Sequence, residues 1–191
     1  MKKVAKISLV IGISIIIIFA FILGFTVYLF DGGYYSRKVD SMMAFKTAMR
    51  KEFDDLKGRT VFVFELDEIG EATSFTVAGW EDGKGCEKSH VRFEWYGCSG
   101  IVMVNEIKCE VGISVSSYAE ERTGEDVLLD GITAKICQEQ WVDFLVYFIL
   151  EDLHYQIRLT FEEETAKTMG NARQVAEAII KTRTEVGALR G

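Results

Sequence analysis

The chain opens with residues 7–30, ISLVIGISIIIIFAFILGFTVYLF, a run with no charged residue. The pattern then becomes helical. In RKVDSMMAFKTAMRKEFDDLK (37–57), Met42, Phe45, Met49, Phe53 and Leu56 recur at intervals of three and four, and Gly58 is placed to end the helix. From residue 60 the period falls to two. TVFVFEL (60–66) is β-branched and aromatic, which predicts a buried strand, and SFTVAGW (74–80) predicts another before a turn at Asp82-Gly83. HVRFEWY (90–96) alternates, with Val91, Phe93 and Trp95 expected on the core face and Arg92, Glu94 and Tyr96 on the other. IVMVNEI (101–107) and EVGISVS (110–116) follow as strands. DVLLDGITAKIC (126–137) reads as a hairpin about Asp130-Gly131, a pair suited to positive φ.

The C-terminal third continues the alternation. WVDFLVYFILE (141–151) is apolar on both parities and predicts a central strand covered on both faces. In HYQIRLTF (154–161), Tyr155, Ile157, Leu159 and Phe161 point inward, and His154, Gln156, Arg158 and Thr160 outward. NARQVAEAIIKTRTEV (171–186) predicts a helix capped by Asn171 with Gln174 in capping-box position, its apolar stripe being Ala172, Val175, Ala176, Ile179 and Ile180. Helix, antiparallel strands and helix compose an α+β fold. The expected architecture is one antiparallel sheet covered by two amphipathic helices, behind an N-terminal transmembrane helix.

At about 1.5 Å per residue a helix over 7–30 reaches roughly 36 Å, enough for a hydrocarbon core of about 30 Å. The apolar run exceeds that of a cleaved signal peptide and no A-x-A site follows it, so it predicts an uncleaved signal anchor in the lipid bilayer. Cleavage near Gly33 is the alternative. Lys2, Lys3 and Lys6 precede the run, which predicts a cytoplasmic N-terminus and a C-terminal domain outside the cell membrane. The expected division is a basic tail (1–6), a single-pass span (7–30), a hinge about Asp31-Gly32-Gly33 (31–36) and one extracytoplasmic domain (37–191). Ser8/Gly12 and Ala20/Gly24 are small residues four apart, which can pack two spans into a homodimer.

Charge narrows the partners. The first 30 residues carry three of the 22 basic residues and none of the 29 acids, so the rest of the chain bears a net charge of −10. An acidic body without a Lys/Arg stripe argues against nucleic acid. Proline is absent, so no proline-rich stalk separates parts of the chain.

The cysteines are Cys86, Cys98, Cys109 and Cys137. An even number predicts two disulfides, with Cys86–Cys98 and Cys109–Cys137 the pairing that closes the shorter loops; free buried thiols are the alternative. No close C-x2–4-C pair suggests structural zinc, and two histidines are too few for a three-His metal site. The acidic pairs and triplets, such as Asp67-Glu68 and Glu162-Glu163-Glu164, lack calcium-loop spacing. No P-loop or G-x-G-x-x-G occurs. No metal or cofactor is therefore expected.

Gly97-Cys98-Ser99-Gly100 resembles the glycine-flanked turn of a nucleophile. His90 lies too far along the same strand to act as its base, leaving His154 as a partner reached through the fold. The plainer expectation is a turn carrying a disulfide-bonded Cys98. Trp80, beside an acidic turn, is the candidate for a surface aromatic in a binding site.

DGITAKI, a long strand, LHYQIRLTF and AEAIIKT together resemble the C-terminal half of PsbP-like domains and related membrane-anchored proteins of bacterial cell surfaces. The resemblance covers residues 130–184. It implies a layered arrangement and a binding or accessory role, and it assigns no site residues. The expectation is a non-catalytic, membrane-anchored binding domain at the cell envelope, partnered by an envelope protein. The alternatives are a cell-envelope cysteine enzyme using Cys98 and His154, and a structural dimer joined through the span and residues 37–57.

Overall fold

Two-residue turns set the connectivity of the sheet. Asn105-Glu106 (φ 47° and 68°), Asp130-Gly131 (46° and 80°) and Glu151-Asp152 (49° and 63°) hold both central residues at positive φ, which suits the twist of an antiparallel hairpin. They join β4 (Val91–Val104) to β5 (Ile107–Ser116), β6 (Glu125–Leu129) to β7 (Ile132–Gln138), and β8 (Phe144–Leu150) to β9 (Leu153–Phe161). The computed structural model describes residues 34–52, 59–81, 91–116 and 123–186.

With β1 (Tyr34–Val39) and β3 (Gly70–Glu81), these strands form one eight-stranded antiparallel sheet in the order β1-β3-β4-β5-β9-β8-β7-β6. The seam between its halves is β5 against β9, running from Cys109 opposite Phe161 to Ser116 opposite His154. A separate ribbon pairs β2 (Phe62–Phe64) with β10 (Arg183–Glu185). The helices are α1 (Met42–Glu52) and α2 (Met169–Lys181).

One face of the sheet is the core. Val111, Ile113 and Val115 of β5, Tyr155, Ile157 and Leu159 of β9, and Val146 and Phe148 of β8 are all at most 2% exposed. The layer above is composite. α1 lies against β1 and β3 and brings Phe45 to Phe75 (ring centroids 5.6 Å) and Tyr96 (5.2 Å). α2 lies against β6, β7 and β8 and buries Ala172, Val175, Ala176, Ile179 and Ile180. The ribbon takes the middle, with Phe64 against Phe148 (6.3 Å) and Tyr155 (5.8 Å).

Two tyrosines tie the ribbon to the sheet. Val61 and Glu65 bond across to Val186 and Thr182, so the alternation of an antiparallel pair turns the amide and carbonyl of Phe62 away from β10. The Phe62 N–H donates to the Tyr155 hydroxyl at 3.0 Å, and the Tyr96 hydroxyl donates to the Phe62 carbonyl.

This arrangement corrects several expectations. The described part is mostly antiparallel sheet, and α+β with two amphipathic helices over the sheet does not describe it. The helices have only 11 and 13 residues, and the ribbon fills the middle of the layer. The first helix begins at Met42, because residues 34–39 pair with β3; Ser41 Oγ accepts the Ala44 N–H at 3.2 Å. The second is capped by Thr168, not Asn171: Thr168 accepts the Asn171 N–H at 3.2 Å. Tyr96 faces the core at 1% exposure, and Trp95 lies on the other side of the sheet, half-buried. The cause is a register shift opposite Ala78 and Gly79, since a bulge reverses the alternation of everything beyond it.

The membrane reading is also corrected. Among the described residues no helix is long and apolar enough to cross a membrane. The signal anchor, the single-pass topology and the placement at the cell membrane therefore have no counterpart among the described residues. The tail 1–6, the span 7–30 and the glycines of the hinge lie outside the described residues; Tyr34 to Ser36 of that hinge belong to β1.

The disulfides fail too. Cys98 and Cys109 are free thiols, so neither expected pair forms, and Cys86 lies outside the described residues. Strands β9 and β8 stand between Cys109 and Cys137. Those three strand spacings are about 14 Å, against a Cα separation of roughly 6 Å in a disulfide.

Candidate functional site

The face opposite the core is open to the extent described: both helices and the ribbon pack on the other side. Its side chains line up in rows across the eight strands, between the two register shifts that separate β3 from β4 at Ala72/Ser74 and Ala78/Gly79. One row reads Ser36, Ala78, Trp95, Ser116, His154, Ile149, Thr133, Leu128 from edge to edge. The next reads Lys38, Thr76, Gly97, Ser114, Gln156, Tyr147, Lys135, Asp126. A third runs Ser74, Ser99, Gly112, Arg158, Leu145, Cys137.

The middle of this face is polar and interlinked. Tyr147 and His154 hydrogen-bond through the tyrosine hydroxyl and Nδ1, with their rings stacked at 5.8 Å and 27°. Ser114 donates to Gln156 at 3.5 Å, and the Ser74 and Ser99 hydroxyls meet at 2.7 Å. The Arg158 guanidinium lies over Gly112, where a Cβ would stand 3.4 Å from Nε and 3.6 Å from Nη2. The absent side chain lets the guanidinium rest on the backbone of β5.

Apolar side chains break through toward the ends. Ile101 and Met103 of β4 are 41% and 52% exposed, and Leu128 and Ile149 are 60% and 53% exposed near the opposite corner. An open depression of about 250 Å³ lies beside Ile101, with Glu110, Thr160 and Glu162 among its walls.

The residues singled out in the sequence do not converge. Gly97-Cys98-Ser99-Gly100 is no turn but the middle of β4. Gly100 is required there, because a Cβ would fall 2.4 Å from the Glu71 carbonyl oxygen. Cys98 points into the core, 6% exposed, and burial first, then Asp67 and Glu65, push its thiol up to about 12. Burial first, then Asp143 and Glu110, push Cys109 up to about 12 as well, against a backbone hydrogen bond from Thr160 that lowers it. His154 stands on the opposite face from Cys98, so the two form no dyad. Cys137 is half-buried and its thiol lies 3.7 Å from the Leu145 carbonyl. Trp80 stands in β3 opposite Tyr34 and Arg92; the surface role expected of its indole lies outside the described residues. Among the described residues no group of three or more His, Cys, Asp or Glu could hold a metal.

What the sequence did contain was the outward parity of His154, Gln156 and Arg158. Their partners across the sheet could not be read before the register was known.

No protein-family model, no characterised protein and no solved structure matches the chain. The PsbP-like resemblance of residues 130–184 rests on the residues alone.

Proposed function

We propose that this domain is a non-catalytic binding module and that the open face of its sheet is the surface it presents to a protein partner. The observation that carries the reading is the exposure of Ile101, Met103, Leu128 and Ile149 on one face, over which no described element packs. Exposed apolar side chains scattered singly need no explanation. Four on one face, around a hydrogen-bonded polar centre, have the anatomy of an interface: apolar patches drive association and polar groups fix its orientation. Complete burial of one such side chain contributes about 1.5–3 kcal/mol, and less where half is already covered. Catalysis is the weaker reading, because the neutral, core-facing Cys98 lacks the base its chemistry needs.

The test is site-specific photocrosslinking of the full chain in its own cells, with a benzophenone side chain placed at Met103, at Ile149 or, as control, at Glu177 on α2. Adducts to a second polypeptide from Met103 and Ile149, several-fold above Glu177, are the expected result. Equal yields at all three positions, or none from the open face, would overturn the proposal.

A further inference from the structure

The chemistry of the open face is most specific along one end. Ile101 stands in register between Glu71 of β3 and Glu110 of β5, and Thr160 of β9 extends the row. Among the described residues neither Glu71 nor Glu110 makes an ion pair. Glu162 pairs with Lys108 at 2.9 Å, leaving the two side chains 61% and 46% exposed. The depression of about 250 Å³ has Ile101 on one wall and Glu110 and the Lys108–Glu162 pair on others, so Glu110 is its uncompensated charge. Lys167 is engaged by Asp143 (3.2 Å) and Glu164 (2.8 Å).

The strip continues toward β8. Asp143 accepts the Phe161 N–H at 2.7 Å, which anchors the loop that carries Trp141 at 91% exposure. From Ile101 on β4 to the head of β8 is three strand spacings, about 14 Å, the reach of roughly four extended residues.

An apolar wall, unpaired carboxylates and an exposed indole complement a side chain that joins an aliphatic stem to a cationic head. They do not suit a second copy of this chain, whose equivalent end would bring like charges together. Resting on the binding-module reading above, we propose that this strip receives a lysine- or arginine-bearing segment of a partner protein. One cationic side chain lays its stem on Ile101 in the depression and sets its head between Glu110 and Glu71; Trp141 meets the segment at the far end.

The test places the benzophenone at Met103 of the full chain and reads the crosslinked segment by mass spectrometry. Three backgrounds are compared: unmodified, Glu71→Gln with Glu110→Gln and Glu162→Gln, and Glu177→Gln as control. The expected segment carries Lys or Arg near the adduct. Its yield should drop by about tenfold in the triple background, as for loss of charge pairs at an interface, and hold in the control. These glutamates are exposed, so the melting temperature of the triple variant should match the unmodified chain. Should it not, Glu110→Lys alone must abolish the adduct. Adducts that persist in the triple background, or segments without basic residues, would overturn the cationic partner and leave the binding face standing. No adduct from Met103 or Ile149 in the unmodified chain would overturn both.

Discussion

Replacing Tyr96 by Phe removes one hydroxyl and nothing else. The ring keeps its place against Phe45 at 5.2 Å, so the change removes the bond to the Phe62 carbonyl together with the hydroxyl's contact with Tyr155. That carbonyl faces away from β10, and Tyr96 is 1% exposed, so water does not readily take the hydroxyl's place. Leaving a buried acceptor unpaired costs about 1–3 kcal/mol, more than the net worth of an ordinary hydrogen bond. For a chain of this size, 2 kcal/mol corresponds to a fall of about 4–8 °C in melting temperature. Tyr155→Phe strips the Phe62 amide of its acceptor and should cost a similar amount. The pair should not add, since both hydroxyls serve one residue of β2. Urea unfolding of the two single variants and the double variant closes the cycle, and the Phe62 amide should exchange faster with solvent in Tyr155→Phe. A loss below about 0.5 kcal/mol in both single variants, with the m-value unchanged, would refute the idea that these hydroxyls hold the ribbon to the sheet.

Thiol labelling under native conditions should modify Cys137 well before Cys98 or Cys109, whose thiols burial keeps protonated; equal rates, measured by mass spectrometry of the alkylated peptides, would contradict their placement. Glu106→Gly should stabilise the β4–β5 turn by up to about 1 kcal/mol, because Glu106 sits at φ 68°, where a side chain costs roughly 1–2 kcal/mol and glycine almost none; a lower urea midpoint would count against that turn. Stability should also fall in alkali. Cys98 rises from 9.0 to about 12 and Tyr155 from 10.0 to about 12 on folding. The unfolded chain therefore loses these protons first. Their contribution is complete below pH 9 and is lost progressively toward pH 12. Melting curves should be flat from pH 7 to 8.5 and shift down above pH 9, and a midpoint unchanged at pH 10.5 would argue that Cys98 is not buried.

The strands with strong local signals could be read directly. Asp130-Gly131 announced its hairpin by chemistry, and the clean alternation of β9 placed Tyr155, Ile157, Leu159 and Phe161 inward, as found. What failed depended on partners far along the chain. Trp95 and Tyr96 exchanged faces because a bulge, which no residue type announces, sits opposite Ala78 and Gly79. The stretch 60–66 looked like a sheet strand, yet only Phe62–Phe64 is extended, and its partner is Arg183–Glu185, beyond the last helix. β8 read as covered on both faces, but Ile149 is 53% exposed while Leu145 is buried. Disulfides were inferred from cysteine parity, which says nothing about strand order; β9 and β8 lie between Cys109 and Cys137. The open face was half legible: its outward residues were named on β9, but the rows they form belong to the register.

The seam between β5 and β9 has a consequence for how the chain can be divided. Every strand pairing on either side of it is internal to residues 34–116 or to residues 123–186. Across the seam, the strand pairings are β5 with β9 and β2 with β10. Separated between Ser116 and Thr123, the two pieces would each retain a four-stranded meander and lack only its complement. Such fragments are candidates for reconstitution by mixing. The concentration at which they reassemble would report directly on the strength of a contact that, in the intact chain, is hidden inside its folding equilibrium.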